Sequence, residues 1–139
     1  MPWATPDYGV EDAANWIAGN PGDLYRFAMF VDEGTEVIGT CGLNHYDPLN
    51  LIANLGYWVR SDHAGRGLAS RAARLLARFG LESAGLRRVE IVVSTSNPAS
   101  VRVAQKIGAV HEGVARSRLL LEGEEHDAHL FSFVRGDTP

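Results

Sequence analysis

Residues 57–69, which read YWVRSDHAGRGLA, decide how this chain folds. Aromatic and β-branched residues predict a strand that ends near Arg60, and a helical pattern begins at Leu68. Gly65 and Gly67 in the intervening turn allow a ligand to approach the backbone closely. Because the first amides of a helix lack partners within the helix and its dipole is positive there, the segment is suited to binding phosphate or pyrophosphate. The alternative is that the two glycines only shape a tight turn.

Hydrophobic periodicity on either side of this segment predicts three helices and six strands. The helices are expected at 10–18, 68–83 and 98–107, the last capped by Asn97 with Pro98 in its first turn, and the residues 20–23 break the chain after the first helix. The strands are expected at 24–31, 35–43, 51–60, 88–94, 109–121 and 126–135. A turn at 32–34 joins the first two strands, a polar loop at 44–50 precedes the third, and residues 122–125 join the last two.

The order of these elements predicts the fold class. Hairpins give antiparallel pairs, whereas the strand–helix–strand passage from Leu51 to Ser94 gives one parallel pair with a right-handed crossover. We therefore expect a mixed α/β fold: a mostly antiparallel sheet with a central parallel pair and flanking helices.

Composition and charge exclude several classes of protein. The chain has 139 residues, of which 45% are hydrophobic and 22% charged, so we expect one globular domain spanning 1–139. A net charge of −4 without basic blocks predicts no binding to nucleic acid, and the lack of a long apolar run predicts no membrane segment. No secretion signal is evident at the start, which favours the cytoplasm. The single cysteine, Cys41, excludes an internal disulfide framework and a multi-cysteine zinc site.

Three kinds of phosphate-binding loop can be compared with this one. A P-loop needs a lysine and a hydroxyl after its last glycine, but Leu68 and Ala69 stand there. A dinucleotide fold needs an acidic residue at the end of the next strand, but residues 94–96 read STS, and Glu90 lies inside the strand. The third kind binds the pyrophosphate of coenzyme A.

Residues 56–59 (GYWV) and 65–69 (GRGLA) resemble the acetyl-CoA motif of the GCN5-related N-acetyltransferase (GNAT) superfamily. The chain is most similar to the branch that contains the ribosomal-protein N-terminal (Rim-type) acetyltransferases. Further matches follow in the family's order at 88–89, 97–100, 106–109, 112–113 and Asp127, so the resemblance covers about 3–134. It implies the GNAT fold, in which the strand at 57–60 splays away from the strand at 88–94.

The resemblance also implies acetyl-CoA as co-substrate and a set of coenzyme-binding residues. The amides of 65–70 would hold the pyrophosphate, and pantetheine would pair with the backbone of 57–60, where the amide of Trp58 or Val59 would polarise the thioester carbonyl. Asn97 would contact the coenzyme, although it could also be a plain helix cap. Ser100 would protonate the departing thiolate, unless it is an ordinary first-turn serine. The coenzyme-binding residues implied are Trp58, Val59, Arg60, Gly65, Arg66, Gly67, Leu68, Ala69, Ser70, Asn97 and Ser100.

The general base is a point of departure from the family. Relatives commonly carry a glutamate two residues before the Gly-Tyr pair, where this chain has Asn54, whose amide cannot accept the amine's proton near neutral pH. His45 and Asp47, with Tyr46 between them, are the substitutes that the preceding loop offers. The alternative is that this loop is solvated. The candidate catalytic residues are thus Ser100 and His45.

Two other groups of reactive side chains have simpler interpretations. Cys41 stands among small residues in a predicted strand, away from any helix N-terminus that would lower its pKa, so we expect no covalent acetyl-cysteine. His126 and His129 fall on opposite faces of a strand by alternation, so we expect no metal site.

The sequence therefore predicts an N-acetyltransferase in which the amine attacks acetyl-CoA directly, within a ternary complex of enzyme, acetyl-CoA and acceptor. The acceptor is a primary amine, either a protein N-terminus or a small amine, amino acid or antibiotic; the alternative function is a non-catalytic acyl-CoA sensor or scaffold. Relatives begin with a strand and a helix before the segment that resembles 3–19. In the relatives, that strand and helix usually cover one edge of the sheet. We expect either that Met1 is an internal methionine chosen as the start, or that a second subunit of a homodimer covers the edge.

Overall fold

The computed structural model describes residues 10–19, 21–31 and 34–139. Several sequence predictions fall elsewhere. The start of the family resemblance at Trp3, the position of Asn20 in the predicted chain break and the turn residues Asp32 and Glu33 lie outside the described residues.

The described residues form three α-helices, six strands and a short 3₁₀ turn. In chain order these are α1 (Val10–Ala18), β1 (Tyr25–Phe30), β2 (Val37–Asp47), β3 (Ile52–Val59), the 3₁₀ turn (Ser61–His63), α2 (Leu68–Glu82), β4 (Arg88–Ser94), α3 (Pro98–Lys106), β5 (Val110–Leu121) and β6 (Glu124–Val134). All nine predicted helices and strands are confirmed, most to within two residues at each end. Within the described parts of the chain, no helix combines the length and apolar character needed to cross a membrane.

Two connections were predicted wrongly. The polar loop expected at 44–50 is too long, because β2 continues to Asp47 through a bulge, where His45 takes a φ of 48°. The connection expected at 122–125 is also too long. It is a two-residue turn in which Glu122 (φ 52°) and Gly123 (φ 81°) both have positive φ, the geometry that joins tight hairpins.

The strands form one sheet in the order β1-β2-β3-β4-β6-β5. Every pair is antiparallel except β3 with β4, which is parallel and consists of only three residue pairs, from Ile52 with Arg88 to Asn54 with Glu90. Beyond Asn54 the two strands separate. The expected fold class and its splayed central pair are therefore confirmed.

Helix α2 covers the centre of the sheet and forms the main core. Its small residues Ala73 and Ala77 are fully buried, and they pack in a cluster with Leu43, Leu55 and Phe131 from the strands. Burying such a leucine or phenylalanine stabilises the fold by about 1.5–3 kcal/mol per side chain. This packing holds α2 across β2, β3 and β4, with the first residues of the helix near the end of β3.

Candidate functional site

The turn before α2 leaves backbone amides without partners. Gly65 and Gly67 have φ values of 76° and 73°, a conformation that other residues adopt only at a cost. Gly67 occupies the N-cap position of α2, so no side chain there accepts a hydrogen bond from the first helical amides. The first hydrogen bond of the helix runs from the Arg71 amide to the Gly67 carbonyl at 3.0 Å. The amides of Leu68, Ala69 and Ser70 therefore have no acceptor inside the helix, and the positive end of the helix dipole lies among them. An anion could accept hydrogen bonds from these amides.

A cavity of about 580 Å³, here called the loop cavity, opens beside these amides. Nine of the eleven coenzyme-binding residues expected from the sequence line it: Trp58, Val59, Gly65, Gly67, Leu68, Ala69, Ser70, Asn97 and Ser100. The structure brings these residues together from β3, from the first turn of α2 and the loop before it, and from the start of α3.

The other two expected residues, Arg60 and Arg66, do not line the loop cavity. The Arg60 guanidinium donates to Glu36 and, at 2.6 Å, to Asp62, and these hydrogen bonds raise the pKa of Arg60. Arg66 lies 3.0 Å from a ring nitrogen of His63. Both arginines are thus engaged with neighbouring side chains on the rim.

Sequence reasoning missed part of the lining, most of it on α3. Ala99, Arg102, Val103 and Lys106 complete one wall of the loop cavity. Their spacing of three and four residues places them on one face of a helix. This periodicity was available in the sequence, and it would have identified the α3 wall once Ser100 was assigned to the site.

The gap between β3 and β4 forms a second cavity of about 320 Å³, the splay cavity. It is lined by β3 at 54–57, β4 at 91–94, Asn97, Ser100 and Leu119, Leu120 and Leu121 at the end of β5. Asn97, Ser100 and Tyr57 line both cavities, so the two are adjacent.

Backbone amides of β3 point into this gap. The Arg60 amide donates to Ile38 of β2 at 2.8 Å, and because successive amides of a strand alternate in direction, the Trp58 amide also points to β2. The amide of Val59 therefore points towards β4, where the strands no longer pair. Of the two amides expected to polarise a carbonyl, the geometry favours Val59.

Asn54 closes the apex of the splay. Its Oδ1 accepts a hydrogen bond from the Val92 amide of β4 at 3.1 Å, and its Nδ2 donates to Asn44 Oδ1 at 2.9 Å. The first bond satisfies a β4 amide that the diverging β3 backbone no longer reaches. The residue that stands in place of the family's glutamate thus has a structural role.

Tyr57 fixes the start of α3 against β3. Its hydroxyl donates to the Ser100 carbonyl at 2.9 Å, and burial raises the pKa of Tyr57 to about 12. Asn97 is a helix cap, since its Oδ1 accepts from the Ser100 amide at 3.2 Å. Capping and coenzyme contact are compatible, because Asn97 also lines both cavities.

A third cavity of about 590 Å³, the α1-side groove, lies between α1 and strands β1 to β3. His45 lines this groove together with Gly56 and Tyr57, which also line the splay cavity. Asp47 does not line it: its carboxylate accepts from Leu49 and Asn50 in a turn, and these bonds lower the pKa of Asp47. Tyr46 packs against the core. Of the two residues considered as a base, only His45 lines the groove.

The remaining reactive groups lie away from this arrangement. Burial raises the pKa of the Cys41 thiol, which keeps it protonated. His126 contacts Ser94 and Ser96, whereas His129 contacts His111 at 3.0 Å, so the two histidines face different partners. Among the described residues, no three or more His, Cys, Asp or Glu side chains are grouped to hold a metal ion.

Comparison with known proteins gives consistent matches. The family model described as "Acetyltransferase (GNAT) domain" matches residues 1–110. An uncharacterised N-acetyltransferase, p20, of Bacillus licheniformis is 35% identical over 82% of this chain and 64% of its own length. The ribosomal-protein-serine acetyltransferase of Escherichia coli is 32% identical over 89% of this chain and 71% of its own length.

A solved structure supports the same likeness. The crystal structure of ribosomal-protein-S5-alanine acetyltransferase from Vibrio fischeri superposes with a TM-score of 0.68 at 25% identity, over 75% of this chain and 57% of that one. The chain thus spans between 57% and 71% of the length of these relatives.

Proposed function

Because the chain belongs to the GNAT acetyltransferase family, we propose that it transfers the acetyl group of acetyl-CoA to a primary amine. The observation that carries this proposal is the uncapped N-terminus of α2 beside the gap between β3 and β4. The first feature suits a diphosphate, and the second suits an extended pantetheine arm that ends in a thioester. The residues present therefore fit acetyl-CoA.

The backbone supplies most of the binding. Amides from Gly65 to Ser70 hold the diphosphate, and the outward-facing edge of β3 pairs with the pantetheine arm. The Val59 amide donates a hydrogen bond to the thioester carbonyl, which favours the charge that develops on that oxygen during attack. Holding both reactants in one geometry removes most of the entropic barrier.

Proton transfer is assigned to two side chains. Acetyl-CoA supplies an activated acetyl group: the amine nitrogen forms a bond to the carbonyl carbon, and the carbon–sulfur bond breaks. Ser100, in the first turn of α3, gives a proton to the departing thiolate. His45, in the α1-side groove, accepts the proton that the amine loses, directly or through water.

The role of His45 is tested by the pH dependence of kcat/KM. We expect His45→Ala to lose the acidic limb of the profile, whereas Asp47→Ala, which alters the adjacent turn, keeps it. An unchanged profile in His45→Ala removes this histidine as the base.

The acceptor enters through the α1-side groove, which shares the lining residues Gly56 and Tyr57 with the splay cavity. We place a protein N-terminus first among the acceptors, because the Escherichia coli relative is named for a ribosomal protein. Because that bacterial relative is named for a ribosomal protein, we also place the reaction in the cytoplasm, where ribosomes work.

The experiment that tests the function is a thiol-release assay with acetyl-CoA and a panel of amines, with mass spectrometry of the products. The panel holds peptides with free N-termini, their N-terminally blocked counterparts, amino acids and polyamines. We expect free thiol and a product heavier by one acetyl group for at least one unblocked amine. Stabilisation by acetyl-CoA without thiol from any amine would contradict catalysis and favour a sensor.

A further inference from the structure

The loop cavity has an unequal distribution of charge. Lys106 and Arg102 line it, and no aspartate or glutamate among the residues that the structure describes does. The two cations are four residues apart on α3, so they lie on the same face of that helix. Lys106 is also the only lysine of the chain.

The side chain of Lys106 ends beside the turn that opens α2. A Cβ built on Gly67 would lie 3.6 Å from Lys106 Nζ, so the ammonium stands next to the backbone that leads into the free amides. The Arg74 guanidinium reaches the Lys106 carbonyl at 3.5 Å, which links the end of α3 to α2. The backbone of Lys106 is thereby held near α2, within reach of the turn before that helix.

Lys106 and Arg102 are both exposed and are not neutralised by a carboxylate among the described residues, so they are available to an anion at the turn. The C-terminal dipole of α3 explains why a lysine suits position 106. An anion between the amides and the ammonium would satisfy both.

We propose that Lys106 is a coenzyme-binding residue whose ammonium contacts the diphosphate held by the amides of α2, and that Arg102 adds a second positive charge to the same wall. This inference rests on the proposed function, because it assumes that a coenzyme A thioester occupies the loop cavity. It goes beyond that function by assigning side-chain recognition of the phosphates to α3. Affinity then depends on salt, since charge pairs near the surface are screened.

Titration calorimetry with two probes tests this assignment: coenzyme A, and dephospho-coenzyme A, which keeps the diphosphate but lacks the 3′-phosphate. We expect Lys106→Met to weaken the binding of both probes by about tenfold, as expected for one charge-assisted phosphate contact, and to reduce the salt dependence of the affinity. Arg102→Met should weaken both by a smaller factor. Lys106→Arg should keep most of the affinity, and thermal melting confirms that each variant is folded.

Arg118→Met is the matched control, because it removes one exposed positive charge from β5, outside the loop cavity. It should leave both affinities unchanged. Equal affinities in Lys106→Met and the wild type would overturn the assignment of Lys106, and a loss confined to coenzyme A would overturn the contact with the diphosphate. If the wild type binds neither probe, the proposed function itself fails.

Discussion

At the scale of single residues, the position of Asn54 best shows how this chain differs from the family's pattern. The family resemblance places a glutamate there, and the sequence indicates that an asparagine cannot act as the base. The structure adds a positive role, because the Asn54 side chain joins β3 to β4 through the Val92 amide and to β2 through Asn44. One amide group thus sets where the two central strands begin to separate.

Replacement of Asn54 by alanine leaves the Val92 amide without its partner. We expect the free energy of unfolding to fall by about 1–3 kcal/mol, the cost of a part-buried polar group left unsatisfied. Asn44→Ala is the control, since it keeps the bond to Val92 and removes only the bond between the two side chains. Urea denaturation measures both, and an equal loss in the two variants would contradict the role assigned to the Val92 contact.

At the scale of the elements, the turn before α2 was the part of the site that the sequence predicted best. Glycines at 65 and 67, followed at once by a helical pattern, predict a tight turn into a helix, because conformational freedom is a property of the residue itself, and the structure has this turn. Anion binding by the turn stays a prediction. The rest of the α3 wall and the α1-side groove were not predicted. The periodicity of α3 shows which of its residues share a face with Ser100, but the sequence gives no local signal that places α1 beside strands β1 to β3.

Gly67→Ala tests this turn against a matched control. Both Gly67 (φ 73°) and Gly85 (φ 77°) have positive φ, so an alanine at either position costs about 1 kcal/mol of stability. Only Gly67 lines the loop cavity. We expect Gly67→Ala to weaken acetyl-CoA binding by tenfold or more and Gly85→Ala to leave it unchanged, as measured by calorimetry. Equal affinities of the two variants for acetyl-CoA would show that the turn does not bind the coenzyme.

The strands β4, β5 and β6 are joined by a charged network that makes stability depend on pH. Arg88 donates two hydrogen bonds of 2.7 Å to Glu112, which also accepts from Ser132, and these bonds lower the pKa of Glu112 to about 2. Because the pKa in the unfolded chain is about 4.5, this stabilisation is present above that pH and is lost as the pH falls towards 2.

The Glu112→Gln variant should therefore be less stable than the wild type near neutral pH, but should lose less stability between pH 5 and pH 2. Exposure of the Glu112 side chain and screening by salt make the difference modest. Thermal melting across this pH range measures it, with Glu82→Gln as a control that removes a carboxylate from the exposed face of α2. Parallel acid profiles for Glu112→Gln and the wild type would contradict the role of the ion pair.

At the scale of the whole molecule, β1 and β5 are the outermost strands of the sheet formed by the described residues. Near the β1 edge, Phe27 stacks with Tyr25 and meets the edge of Phe79 from α2, yet Phe27 remains 42% exposed. The sequence predicts that a second subunit covers one edge of the sheet. That stays a prediction, which sedimentation of the chain tests.

The three cavities also predict the kinetic mechanism. Coenzyme and acceptor enter through cavities with mostly different linings that meet at Tyr57, so both can be bound at once. We expect double-reciprocal plots of initial rate to intersect, as for direct transfer. Cys41→Ser should retain kcat, because the buried thiol is not a nucleophile. Parallel plots, or a loss of kcat in Cys41→Ser together with an acetylated cysteine, would indicate a covalent route.

The central claim is that the amides at the start of α2 hold the phosphates of acetyl-CoA while β3 presents its free edge to the pantetheine arm. Amide NMR spectra of the ¹⁵N-labelled chain, recorded during titration with acetyl-CoA, test it most directly. We predict that the largest chemical-shift changes occur at Gly65, at 67–70 and at Val59, with a smaller change at Lys106. Changes confined to the α1-side groove, or no change at saturating acetyl-CoA, would contradict the claim.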